Sequence, residues 1–145
     1  MFGIGKAFGS LLGKAKKVEN RDLMEAIVGG GLLVAYADGS LEKEEQQKLD
    51  QLIRSNDNLA HFGNEISKTI TKFSGLLDAD FGVGKMKILR EIRDVANNAN
   101  DEEEVMVNVI AIAKADGEIE PEELVVLQTL ARELGQRLSD YGIEA

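Results

Sequence analysis

Apolar residues recur at intervals of three and four along most of this chain, and strand-type alternation is scarce. Ile66, Ile70 and Phe73 form one such stripe, and Ile88, Leu89, Ile92 and Val95 form another. Val105, Val109, Ile112 and Ala113 make a third, and Leu124, Leu127, Leu130, Ala131 and Leu134 a fourth. The spacing predicts helices over 4–18, 21–37, 42–55, 58–75, 84–97, 101–115 and 121–135, with a short helical turn near 137–141. Asp101 is the expected N-cap of its helix, with Glu102, Glu103 and Glu104 well placed against the dipole of the first turn, and Gly135 is an expected C-cap. The expected fold is all-α, a single compact domain of about seven helices with short connections.

The chain repeats itself. Residues 35–45, AYADGSLEKEE, match residues 113–123, AKADGEIEPEE, at an offset of 78. The register continues on both sides: Ile27 falls on Val105, Val34 on Ile112, Leu49 on Leu127 and Leu52 on Leu130. Each unit reads as helix, Asp-Gly turn, helix. The units cover about 21–55 and 99–135, related by a pseudo-twofold and joined by the segment 57–100.

The chemistry of the turns follows from their residues. Gly39 and Gly117 let the chain leave the first helix through positive φ, while Leu41 and Ile119 turn inward. Pro121 suits the first helical position, which makes Glu120 the N-cap and Glu123 the N3 residue. By register, Glu42 and Glu45 hold those places in the first unit. Four carboxylates therefore crowd each helix start: Asp38, Glu42, Glu44 and Glu45, and Asp116, Glu120, Glu122 and Glu123. Two explanations stand side by side. The acids act as caps, with Glu45 and Glu123 reaching back and Asp38 and Asp116 bracing Asx turns. Alternatively they hold a hard divalent cation, Ca²⁺ or Mg²⁺, which prefers several oxygen ligands. The spacing is that of the back half of an EF-hand loop, but Val34 and Tyr36, or Ile112 and Lys114, stand where the front half needs ligands. A cation would thus draw its ligands from both units.

Charge divides the chain. Residues 1–18 carry Lys6, Lys14, Lys16 and Lys17 and no acid; residues 19–145 carry 13 basic and 26 acidic side chains. In the first stretch, Ile4, Ala7, Phe8, Leu11, Leu12, Ala15 and Val18 share a helical face that four glycines weaken. This cationic amphipathic helix either docks on the acidic body or meets anionic lipid, and it does not read as a secretory signal. The overall charge of -9 argues against nucleic acid as a partner. Without cysteine there are no disulfides or thiolate sites, and no apolar run reaches the length of a membrane span.

The paired turns, with Leu77-Asp78-Ala79-Asp80-Phe81-Gly82-Val83-Gly84-Lys85-Met86 between them and Leu134-Gly135 through Tyr141-Gly142-Ile143 at the end, resemble the TerB family of tellurite-resistance proteins. The resemblance spans nearly the whole chain, with 19–145 as the TerB-like domain. It implies a non-enzymatic all-α protein of a stress-response system, with membrane and calcium-binding Ter partners and a cytoplasmic place at the inner face of the membrane. It carries over Asp38, Glu42, Glu45, Asp116, Glu120 and Glu123 as metal-binding acids, with Asp78 and Asp80 as further contributors.

Other motifs fail. Gly29-Gly30-Gly31 has no preceding strand and no following Lys-Ser/Thr, so close helix packing is the expected reason for it. Gly84-Lys85 lacks the remaining glycine and hydroxyl of a phosphate loop. His61, the single histidine, is expected at the surface with no second histidine or cysteine to share a metal, and no nucleophile elbow accompanies it. Lys85, Lys87, Arg90 and Arg93 form a basic face on one helix.

Overall fold

In the computed structural model, residues 20–115 and 117–144 are described. They form six α-helices and two short 3₁₀ turns, with no strand among them. The expected helix 4–18, its lysines and Asp116 lie outside the described residues.

Helix α1 (Arg21–Ala35) is the centre of the molecule. Asn20 caps it, its Oδ1 accepting from the Asp22 N–H at 2.8 Å. Every residue from Ala26 to Val34 is buried. A helix that is apolar all round needs neighbours on every side, and α1 packs against α3 (Asn64–Ala79), α4 (Phe81–Val95), α5 (Ala99–Lys114) and α6 (Pro121–Glu133). The glycine run makes this possible. A Cβ on Gly29 would come within 2.8 Å of Ile88 and 3.3 Å of Phe73, one on Gly30 within 2.7 Å of Val109, and one on Gly31 within 2.9 Å of Ile112. Consecutive helical positions point about 100° apart, so the three glycines open α1 to α3 and α4 on one side and to α5 on another.

The polar helix α2 (Lys43–Arg54) buries only Leu49 and Ile53. It is tied to α3 through Asp50, which accepts from Arg54 Nε at 2.7 Å and from Ser67 Oγ at 2.7 Å. Arg54 also contacts the Ser67 hydroxyl. Beyond α2, Asn56 Nδ2 donates to Asn108 Oδ1 at 3.0 Å, and fully buried Asn108 donates to the Glu104 carbonyl at 2.7 Å.

Three helix starts differ from expectation, and α3 runs on to Ala79 rather than 75. The predicted helix 58–75 is a 3₁₀ turn, Ala60–Phe62, and then α3, separated by Gly63 at φ 54°. Helix α4 starts at Phe81 rather than 84, because Asp80 caps it through the Val83 N–H at 3.0 Å. Helix α5 starts at Ala99, and Asn98 rather than Asp101 is its N-cap. Asn98 Oδ1 accepts from the Asp101 N–H at 2.9 Å, and Asn98 Nδ2 donates to Asp101 Oδ2 at 3.1 Å.

Helix α6 ends at Glu133 with Leu134 as its C-cap, and the expected C-cap Gly135 stands one residue beyond at φ 65°, with the Gln136 N–H on the Ala131 carbonyl at 2.8 Å and the Gly135 N–H on that of Arg132 at 3.3 Å. These are the two bonds of a Schellman motif. The tail returns over a 3₁₀ turn, Leu138–Tyr141, burying Leu138, Tyr141 and Ile143.

Candidate functional site

The two turns match at their glycines. Gly39 sits at φ 100° and Gly117 at φ 121°, a region closed to most side chains. The Gly39 N–H reaches the Tyr36 carbonyl at 2.8 Å, and the Gly117 N–H reaches the carbonyl of Lys114, 78 residues after Tyr36, at 3.0 Å. Leu41 and Ile119 are half-buried and pack against the core. The next helices then start in register, α2 at Lys43 and α6 at Pro121.

The helix starts are capped as their sequence requires. Glu42 and Glu120 are the N-caps, and Glu45 and Glu123 are the N3 residues. Glu45 Oε1 accepts from the Glu42 N–H at 3.0 Å; Glu123 Oε1 accepts from the Glu120 N–H at 2.8 Å. Asp38 Oδ1 accepts from the Ser40 N–H at 3.2 Å, an Asx turn.

Packing of α1 on α5 brings the turns to one cleft of about 770 Å³. Its floor is apolar, from Val34, Leu49 and Ile112 among others, and its rim carries Asp38 and Glu45 from one unit and Glu118, Glu120, Glu122 and Glu123 from the other. Four expected site residues therefore share the cleft: Asp38, Glu45, Glu120 and Glu123. Glu42 does not line it. Lys48 is the single basic side chain among the described lining residues. Glu118, Glu122 and Lys48 have no place among the six expected site residues. The repeat carries no signal for Glu118, since it stands where the first unit has Ser40.

Asp78 and Asp80 lie away from this cleft and have other partners. The Tyr36 hydroxyl donates to Asp78 Oδ1 at 3.0 Å, and Asp80 caps α4. Burial raises the Tyr36 phenol above its ordinary value, and the adjacent Asp78 adds to the rise. Tyr36 thus faces the α3–α4 junction and is unavailable as a ligand beside its own turn. His61 is exposed, its ring 4.3 Å from that of Phe62.

The donor chemistry of the rim, carboxylate oxygen throughout, suits a hard cation. Its arrangement is open: among the described residues no three acidic or histidine side chains come together as a group that would hold one ion. Glu45, Glu123 and Asp38 each have one oxygen committed to a backbone N–H.

Two helix–turn–helix units facing one acidic cleft define an all-α, internally repeated protein. The family model for "Tellurite resistance protein TerB" matches residues 24–143, and the chain belongs to that family. Neither the comparison with curated proteins nor that with solved structures gives a significant match.

Proposed function

We propose that this chain is a non-enzymatic adaptor of a tellurite-resistance and stress-response system, with the acidic cleft as its contact face for other Ter proteins and for a divalent cation. The observation that carries this reading is the convergence of both turns on one cleft with six carboxylates on its rim. Acids drawn from two units, each with an oxygen still uncommitted, attract a cation by summed charge rather than by a closed shell. Affinity in the range of weak extracellular calcium modules, about 10⁻⁴–10⁻³ M, follows. The lysines of residues 1–18 bring the adaptor to an anionic membrane surface. With no thiol in the chain, protection against tellurite is indirect.

Thermal unfolding in EDTA and in millimolar Ca²⁺ or Mg²⁺ at matched ionic strength tests the cation. The expected result is a selective rise, worth about 1–2 kcal/mol at about 5 mM ion for that affinity. Asp38→Asn combined with Asp116→Asn abolishes it. The three capping bonds favour a second reading, in which the acids only start helices and brace a turn. That reading requires the same unfolding temperature with and without the ion.

A further inference from the structure

The acidic body has a face of the opposite character on α4. Helix α4 carries Lys85, Lys87, Arg90 and Arg93 against Glu91 and Asp94. Arg93 is paired with Glu133 at 3.3 Å. Lys85, Lys87 and Arg90 have no carboxylate within 4.0 Å among the described residues. Nearby acids are already engaged: Asp80 with the Val83 N–H and Asp78 with Tyr36. Glu91 is half-buried, and Asp94 lies one turn beyond Arg90.

The same helix start exposes apolar surface. Phe81 is 39 % exposed, Val83 49 % and Met86 62 %; the other large apolar side chain exposed among the described residues is Val125, on α6. Val83, Met86, Lys87 and Arg90 follow one another at i, i+3, i+4 and i+7, so they share one outward face. The turn that presents them is firmly held. Gly84 lies against the Leu76 backbone, where a Cβ would meet carbonyl atoms at 2.8 Å, and the Phe81 ring sits 6.3 Å from that of Tyr36.

We propose that the first turns of α4 are a lipid-contact surface for an anionic bilayer. Val83 and Met86 enter the interfacial layer while Lys87 and Arg90 meet the headgroup phosphates. Charge complementarity and shape select this occupant. The unpaired cations call for an anionic partner, and their aliphatic stems run beside the apolar side chains, as snorkelling needs. The face is an outer helix surface apart from the acidic cleft, and a bilayer needs no pocket to receive it. The surface is distinct from the acidic cleft and from residues 1–18, and with the latter it would supply the second signal that stable peripheral attachment requires.

The test is co-sedimentation of the full chain with phosphatidylcholine vesicles with and without phosphatidylglycerol. The chain has no tryptophan, so Met86→Trp supplies a single reporter. Its emission shifts to the blue with anionic vesicles and not with neutral ones. Lys87→Gln and Arg90→Gln each weaken partition about fivefold, and Val83→Ser with Met86→Ser weakens it while leaving the unfolding temperature in place. The proposal is overturned if these variants sediment like the native chain while replacing Lys6, Lys14, Lys16 and Lys17 by glutamine abolishes binding, since attachment then lies in residues 1–18 alone. It is equally overturned if the reporter stays silent with bound vesicles, or responds to polyglutamate instead, which would assign the face to an acidic polypeptide. None of these readouts depends on the divalent ion, so the cleft reading stands or falls separately.

Discussion

Gly84 and Gly75 belong to one helical hairpin, yet alanine should act on them in opposite directions. At Gly84 the added methyl meets Leu76 backbone atoms at 2.8 Å, which have nowhere to go, whereas at exposed Gly75 it meets nothing within 4 Å. Gly84→Ala should lower stability by about 1–3 kcal/mol, and Gly75→Ala should raise it by about 0.5–1 kcal/mol, both read from urea denaturation. Gly30→Ala joins the first class, because the clash is with the β-branched Val109 at 2.7 Å. These positions also mark what a sequence can tell. Three successive glycines inside an apolar helix announce close packing, but Gly75 and Gly84 read alike as helix ends, and only the contact distinguishes a spacer from a tolerated residue. Tyr141 makes a further prediction. Its hydroxyl donates to Gln136 Oε1 at 2.8 Å, and burial, aided by Glu103, Asp140 and Glu102, holds the phenol well above its ordinary 10.0. A pKa raised on folding contributes stability below the unfolded value and loses it as pH rises through the folded one. The urea midpoint should therefore fall above about pH 10. Tyr141→Phe, about 1 kcal/mol less stable at neutral pH, should show less of this fall.

The starts of α2 and α6 are where sequence and structure agree most closely. Glu42 with Glu45, and Glu120 with Glu123, take their places because capping depends on residues three apart, a distance a sequence reveals directly. Glu45→Ala and Glu123→Ala should each cost about 0.5–1 kcal/mol in EDTA, as measured by thermal unfolding. Any additional loss that appears only with Ca²⁺ reports the ion. Where two cap formers compete, local rules decide less. Asn98 and Asp101 both qualify, and the earlier start wins because it gains a turn of helix while Asp101 bonds back to Asn98. The start of α3 was hidden for a different reason: Leu59 and Phe62 keep the helical spacing of apolar residues through a stretch that Gly63 breaks at φ 54°.

At the scale of the molecule, the two units share a core rather than each owning one. Residues of α1 are filled in from both units and from the hairpin between them, so α1 and α5 amides should exchange with the same opening free energy in native-state hydrogen exchange. Two separate values would show that the units open independently. The same packing explains which part of the candidate site was legible. The repeat identifies both acidic turns, each a local feature, but their meeting at one cleft depends on how α1 lies on α5, and so does the entry of Glu118 and Lys48 into it. The chain order of this core has a consequence for synthesis. Helix α1, the most apolar, leaves the ribosome well before α5 and α6, which cover it. Until they arrive the nascent chain holds a greasy helix that α3 and α4 can cover on one side only, with the seam at Gly30 and Gly31 open, and every cycle of translation exposes it to chaperones and to aggregation for as long as the second unit takes to make.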